Sequence, residues 1–207
     1  MFIAFLETPI SALILVITIG ISLYSLFKDE TLIDKLILHP YSVVRKREYY
    51  RIITSGLIHA DLWHLAFNML SFQSFAFYLE RQLGSIPFLL LYLVCLVTSD
   101  ITTILKNRDN AMYRSLGASG AVSGVIFSFI LFFPGIEIGI LFIPFGIPAT
   151  VFGILFLLYS YYSANYQYDN INHDAHLWGA LTGFALTVVY EPSLLPNLLS
   201  YFSSYGR

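Results

Sequence analysis

Residues 86–105 read IPFLLLYLVCLVTSDITTIL, twenty consecutive positions in which Asp100 is the only charge. A bilayer core about 30 Å thick needs roughly 20 apolar residues of helix to cross it, and this run has that length. It shows none of the period-2 alternation of a barrel strand, so it reads as a helix. The rest of the chain agrees with it. Of 207 residues, 57% are hydrophobic and 12% charged, with a mean hydropathy of +0.71. Soluble domains carry about 25% charged residues, and with half that share this chain could not cover a water-facing exterior. Its solvent is therefore lipid, which admits only helices or closed barrels because every backbone polar group must be satisfied within the protein.

Working outward from 86–105, the sequence predicts an all-α membrane protein with six spans. The first is Pro9–Phe27, followed by a long polar connection, Lys28–Trp63, with Pro40 and the basic cluster Arg45, Lys46 and Arg47. The second is His64–Leu83, ending in Glu80-Arg81-Gln82-Leu83-Gly84, and the third, Ile86–Leu105, begins at Pro87 after a short turn. After the polar loop Lys106–Arg114 comes the fourth, Leu116–Phe133. Pro134–Pro148 is apolar but holds three prolines and three glycines, which break helix, so it is expected to be an interfacial or re-entrant connection. A short fifth span, Ala149–Tyr162, precedes the loop Ser163–Asp174 and the sixth span, Ala175–Tyr190. The whole of 1–207 reads as one domain with its core at about 9–191.

A net charge of −2 gives no basic surface for nucleic acid, and the single cysteine, Cys95, excludes a disulfide framework or a cysteine-rich metal site. Pro9–Phe27 lacks a basic start and a small-residue cleavage pattern, so it is expected to be a retained span rather than a signal peptide. The loops after spans one, three and five carry nine basic residues, from Lys28 to Arg114, against Arg81 and Arg207 on the other face. By the positive-inside rule the first face is cytoplasmic.

Polar groups at helix depth are costly in lipid and mark function. His64 opens span two, Ser119 lies just inside span four and His176 just inside span six. Even-numbered spans start from the same face, so these three side chains share a shallow depth. Gly117-Ala118-Ser119-Gly120 sets a hydroxyl among small residues, and Gly179 and Gly183 follow His176 on one helical face. Glycine faces allow close helix contact in membranes, which would bring Ser Oγ to the imidazole. A hydroxyl and a base within reach are the minimum for nucleophilic acyl transfer, and histidine suits the base role because it titrates near neutrality. Backbone amides at the Ser119 helix start, with His64 and Asn68 at i and i+4 on span two, are candidate donors to an oxyanion. Taken singly, each has a plainer reading: the serine packs helices, the histidine bonds a carbonyl, the asparagine links helices. Their shared depth is what argues for chemistry.

These residues resemble those of the rhomboid intramembrane serine proteases, over about Tyr50 to Gly183. His59-x4-His64-x3-Asn68 resembles the family's second-span motif, and Glu80-Arg81-Gln82-Leu83-Gly84-Ser85 its following turn. Gly117-Ala118-Ser119-Gly120 resembles the nucleophile motif, and Ala175-His176-x2-Gly179-x3-Gly183 the base-bearing helix. Tyr50-Arg51 falls where many members have Trp-Arg, and Ser123 stands where some place an aromatic beside the base. The resemblance implies a six-helix bundle and a Ser119–His176 dyad with His64 and Asn68 stabilising the oxyanion. It implies helix packing around the site by Gly117, Gly120, Gly179 and Gly183, with no metal or other cofactor. It further implies cleavage of single-span or multi-span membrane proteins within or near their membrane segment. The setting it implies is a bacterial inner membrane, with the site opening on the extracytoplasmic side, against the charge count above.

Three other readings compete. A non-catalytic rhomboid-like factor that binds or quality-controls membrane proteins would typically lack Ser119 or His176. A metal or haem protein would use His59, His64, His173 and His176, but few carboxylates accompany them. A transporter would use the broken segment Pro134–Pro148, which carries only Glu137 as a charge. Among the remaining polar residues, His59, Asp61 and His173 either line the mouth of the site or, the plainer reading, sit in solvated loop, and Asp100 is expected to snorkel or bond a neighbouring helix. Glu80 and Arg81 should anchor the second turn, and the tyrosines of 159–168 an interfacial belt.

Overall fold

The computed structural model describes residues 6–139, 145–166, 169 and 171–205. Helix α1, Pro9–Phe27, starts with proline at its first turn and sets Ser11, Leu15, Thr18, Ser22 and Ser25 along one buried face. That face packs on α5, Leu62–Leu83. Between them the polar connection folds as a lobe of short helices: α2 (Thr31–Leu36), α3 (Pro40–Lys46) and α4 (Arg51–Thr54), with a 3-10 turn at Ser55–Leu57. Arg51 holds this lobe together: its guanidinium donates to the Glu48 carboxylate at 2.5 Å and to the carbonyls of Asp34 and Ile37 at 2.9 Å.

Gly84 alone separates α5 from α6, Ser85–Asn107, with φ of +83°, a conformation glycine adopts without strain. Glu80, 1% exposed, fastens this corner to α1. It accepts from the amides of Ile10 and Ser11, at 3.1 and 2.7 Å, and from the Ser85 hydroxyl at 2.6 Å. The carboxylate thus satisfies orphan N–H groups at the positive end of the α1 dipole.

Helix α7, Ser119–Phe132, is the axis of the molecule, with every residue from Gly120 to Leu131 buried. Its 14 residues span only about 21 Å at 1.5 Å per residue, so it is short of a bilayer's thickness. This helix begins three residues later than the sequence suggested because Gly117 turns the chain at φ +112°. α8, Ala149–Tyr166, and α9, His173–Tyr190, follow, α9 lying along α7 and α6. Between α7 and α8 the glycine- and proline-rich segment forms a small antiparallel hairpin, β1 (Glu137–Gly139) with β2 (Gly146–Pro148). The middle of that segment, residues 140–144, lies outside the described residues, as do Tyr168 and Arg207. Tyr159, Tyr161, Tyr162 and Tyr166 are exposed, as a belt requires.

Helix α10, Leu194–Tyr205, was not expected from the sequence; Leu194 and Leu198 pack with Leu131 of α7. Among the described residues, α1 and α6 are the helices long and apolar enough to cross a membrane. The basic residues that set the charge count are largely paired on their own face: Lys106 with Asp174, Arg114 with Asp34, and Arg45 with Asp109, at 2.6–2.9 Å.

Candidate active site

Gly117 prepares the nucleophile's position. Its N–H donates to the Ser55 carbonyl at 2.9 Å, and its left-handed turn aims the chain into α7. No side chain caps that helix, so the first amides of α7, Ser119 N–H included, have no intrahelical acceptor. His176 comes from the first turns of α9, which Asn172 caps by accepting from the Ala175 amide at 3.1 Å. Asn172 also bonds Thr103 of α6 and Ser115 of the loop before α7, fixing where α9 begins.

The two helices then approach backbone to backbone. A β-carbon on Gly179 would collide with the Gly120 carbonyl oxygen, and one on Gly183 with the Gly124 carbonyl oxygen. Deeper in the pair, Thr187 donates to the Ser128 hydroxyl and Ser128 to the Gly183 carbonyl, at 2.8 and 3.0 Å. This proximity leaves His176 Nε2 2.8 Å from Ser119 Oγ. Of the four glycines read as packing around the site, Gly117 packs against α5 rather than α9. It lies beneath the His64 ring, whose Cε1 and Nε2 would be 2.8 Å from a β-carbon there.

His64 and Asn68 line the same cavity as Ser119 and His176, a space of about 590 Å³. The Asn68 amide donates to the His64 carbonyl at 3.0 Å, and Asp61 caps α5 by accepting from the His64 amide at 2.8 Å. Of the two expectations for Asp100, snorkelling is set aside: it is buried, 8% exposed, in the wall of this cavity.

His59 and His173 depart from the plainer reading of solvated loop, and the reason is the close approach of α1 and α8. His59 is fully buried, with Nδ1 3.0 Å from Ser22 Oγ and Nε2 facing the Ala118 amide at 3.5 Å. The Ser22 hydroxyl donates to the Leu57 carbonyl at 3.0 Å, so His59 is satisfied as the neutral Nδ1–H tautomer. Burial, then the neighbouring His64, pulls its pKa down to about 3. His173 bonds the Asp169 carboxylate at 3.0 Å and stands edge-on to the His176 ring, centroids 5.7 Å apart. The Ile171 amide, and with it His173, holds the Asp169 carboxyl below its ordinary range. On the other side Phe156 of α8 lies 6.0 Å from the His176 ring. Sequence reasoning left open what stands beside the base; Ser123 instead donates to the Ser119 carbonyl at 2.8 Å.

Fold and site together define a mainly helical protein with a hydroxyl–imidazole pair in the lining of a partly polar cavity. Comparison with known proteins gives the family. A Rhomboid domain model matches residues 46–193, and the chain belongs to the rhomboid family. It is 34% identical over 146 residues to the "Putative rhomboid protease YdcA" of Bacillus subtilis (strain 168), covering 70% of this chain and 68% of that protein. It is 29% identical to "Rhomboid protease GluP" of the same organism, covering 69% of this chain but 26% of the relative. To "Rhomboid protein 1, mitochondrial" of Saccharomyces cerevisiae it is 30% identical, over 64% of this chain and 39% of the relative. The chain therefore spans about two thirds of the first of these relatives and well under half of the other two. Rhomboids are integral membrane proteins, so the apolar exterior faces lipid.

Proposed function

We propose that this chain is an intramembrane serine endopeptidase, and the 2.8 Å contact between His176 Nε2 and Ser119 Oγ is the observation that carries the reading. In it, α1, α5, α6, α7, α8 and α9 are six spans of one domain in a bacterial plasma membrane. Its substrates are single-span or multi-span membrane proteins. A relative named as a rhomboid protease supports this.

Ser119 Oγ attacks the scissile carbonyl carbon as its proton passes to His176 Nε2. The new C–O bond makes a tetrahedral oxyanion, which the Ser119 N–H stabilises together with side-chain donors from His64 and Asn68. Collapse breaks the C–N bond, and His176 returns the proton to the leaving amine. Water then attacks the acyl ester by the same route, releasing the acid and restoring Ser119. Because Ser119 opens a short central helix, the site is set below the membrane surface. The cavity beside it gives water and a locally unwound substrate access. A purely binding role for the chain has no need of the Ser119–His176 contact.

The test is cleavage of a transmembrane substrate carrying helix-breaking residues by purified protein in liposomes. Wild type should cut it, whereas Ser119→Ala and His176→Ala should not. Cutting by either variant at the wild-type rate would remove the assignment.

A further inference from the structure

His173 is a buried imidazole that the proposed reaction does not use. It is 3% exposed, and its two nitrogens have different surroundings. Nε2 faces the Asp169 carboxylate, 3.0 and 3.2 Å from its two oxygens. Nδ1 is sealed from solvent and has no hydrogen-bond partner among the described residues. Buried polar atoms are nearly always paired, because an unpaired one has given up its hydration for nothing. An orphan nitrogen beside the proposed base calls for a role.

The tautomers of the two rings say what it is. The ionised Asp169 carboxylate can only accept, so the His173 proton sits on Nε2 and Nδ1 presents a lone pair. His176 has the opposite pattern. Its Nε2 accepts from Ser119 Oγ, 2.8 Å away, so its own proton sits on Nδ1. One ring thus has a donor to spare and the other an acceptor. They are placed i and i+3 at the start of α9, on one face of the helix. Their planes meet at 86° with centroids 5.7 Å apart, an edge-to-face contact. Tyr159 of α8 steadies His173 from another side, edge-on at 5.3 Å. Asp174, the other carboxylate of this turn, is taken by Lys106 at 2.7 Å.

We propose that His173, anchored by Asp169, is a positioning residue for the base: its Nδ1 accepts from His176 Nδ1–H as His176 becomes an imidazolium. The inference rests on the protease reading and adds a residue that acts through His176 without touching substrate. The proton from Ser119 Oγ arrives on His176 Nε2, and that ring gains a positive charge. Its Nδ1–H becomes a charged donor and closes on the His173 lone pair, a bond stronger in the transition state than before it. No proton leaves His176 Nδ1, and none leaves His173. The Asp169 carboxylate keeps His173 in the accepting tautomer. Ser119 and His176 remain the machinery, and without this support cleavage continues at a lower rate.

The experiment measures kcat and KM for one transmembrane substrate with purified protein in liposomes, alongside thermal unfolding. His173→Phe keeps a ring against Tyr159 and removes both nitrogens. It should lower kcat about tenfold at unchanged KM, the range of one charge-assisted hydrogen bond. His173→Asn, whose amide oxygen can stand near the Nδ1 position, should recover much of that loss, which a purely structural ring would not allow. Asp169→Ala changes a side chain that is 37% exposed and should lower kcat severalfold without moving KM or the unfolding temperature. The double variant should be no slower than His173→Phe alone, because the carboxylate acts only through that ring. Wild-type kcat in His173→Phe, or a loss confined to KM, overturns the inference. If His173→Phe does not fold, Asp169→Ala decides, and wild-type kcat there overturns the inference too. A wild type that never cuts in a Ser119-dependent way removes the protease reading and this inference with it. Ser119-dependent cutting that is equally fast in the variants removes the inference alone.

Discussion

The carbonyl oxygen of Gly120 occupies the place where a β-carbon on Gly179 would stand. The contact between α7 and α9, and through it the contact between Ser119 and His176, depends on there being no side chain at that point. A methyl group would have to push two backbones apart.

Gly179→Ala should therefore destabilise the protein by about 1–3 kcal/mol, the usual cost of overpacking, and abolish cleavage. Gly20→Ala is the control. Nothing lies within 4 Å of a β-carbon there, and alanine favours helix over glycine by about 0.5–1 kcal/mol. Thermal unfolding in detergent should show Gly179→Ala falling and Gly20→Ala unchanged or raised.

Asn68 donates to the His64 carbonyl at 3.0 Å and would turn that amide toward the oxyanion as the reaction proceeds. Asn68→Ala should lower kcat by about 10- to 100-fold with little change in KM, because the lost bond exists only in the transition state. A rise in KM at constant kcat would instead make Asn68 a substrate-binding group.

Phe156 holds one face of the His176 ring, at a centroid distance of 6.0 Å. Phe156→Ala should cut kcat about tenfold by freeing the imidazole, since small misplacements of a catalytic group are costly. Phe156→Tyr should restore most of it, which simple loss of folding would not allow.

His59 carries a pH dependence whose sign follows from its burial. Its folded pKa, about 3, lies below the ordinary 6.5. The unfolded chain therefore binds the proton first, and stability is fully present above about pH 6.5 and falls as pH drops toward 3. Protonation would also turn Nε2 into a donor facing the Ala118 N–H, at the turn that carries Ser119. Unfolding temperature measured against pH should fall through that window. His59→Gln, which lacks the titration, should fall less steeply.

Much of this was legible because lipid leaves so few options. The span Pro9–Phe27 is read from apolar length alone, and it is the helix observed. Ser119, His64, Asn68 and His176 stood out as polar groups at a common depth, and they do line one cavity. What escaped was context. Phe156 is one apolar residue among many on α8, with nothing local to mark it as the neighbour of His176. His59 sits two residues before Asp61 in a polar-looking stretch, and only the arrival of Ser22 from α1 buries it. Helix α10 follows Pro192 and contains Pro196, a pattern that reads as a tail until Leu194 and Leu198 meet Leu131. Each of these depends on a partner distant in the chain.

The central claim is that Ser119 is a nucleophile activated by His176. Reaction of the purified membrane protein with a fluorophosphonate, followed by peptide mapping, tests it most directly. One adduct on Ser119 is the result expected, absent in Ser119→Ala and formed far more slowly in His176→Ala. An adduct that persists in Ser119→Ala, or that forms on Ser119 equally fast without His176, would contradict it.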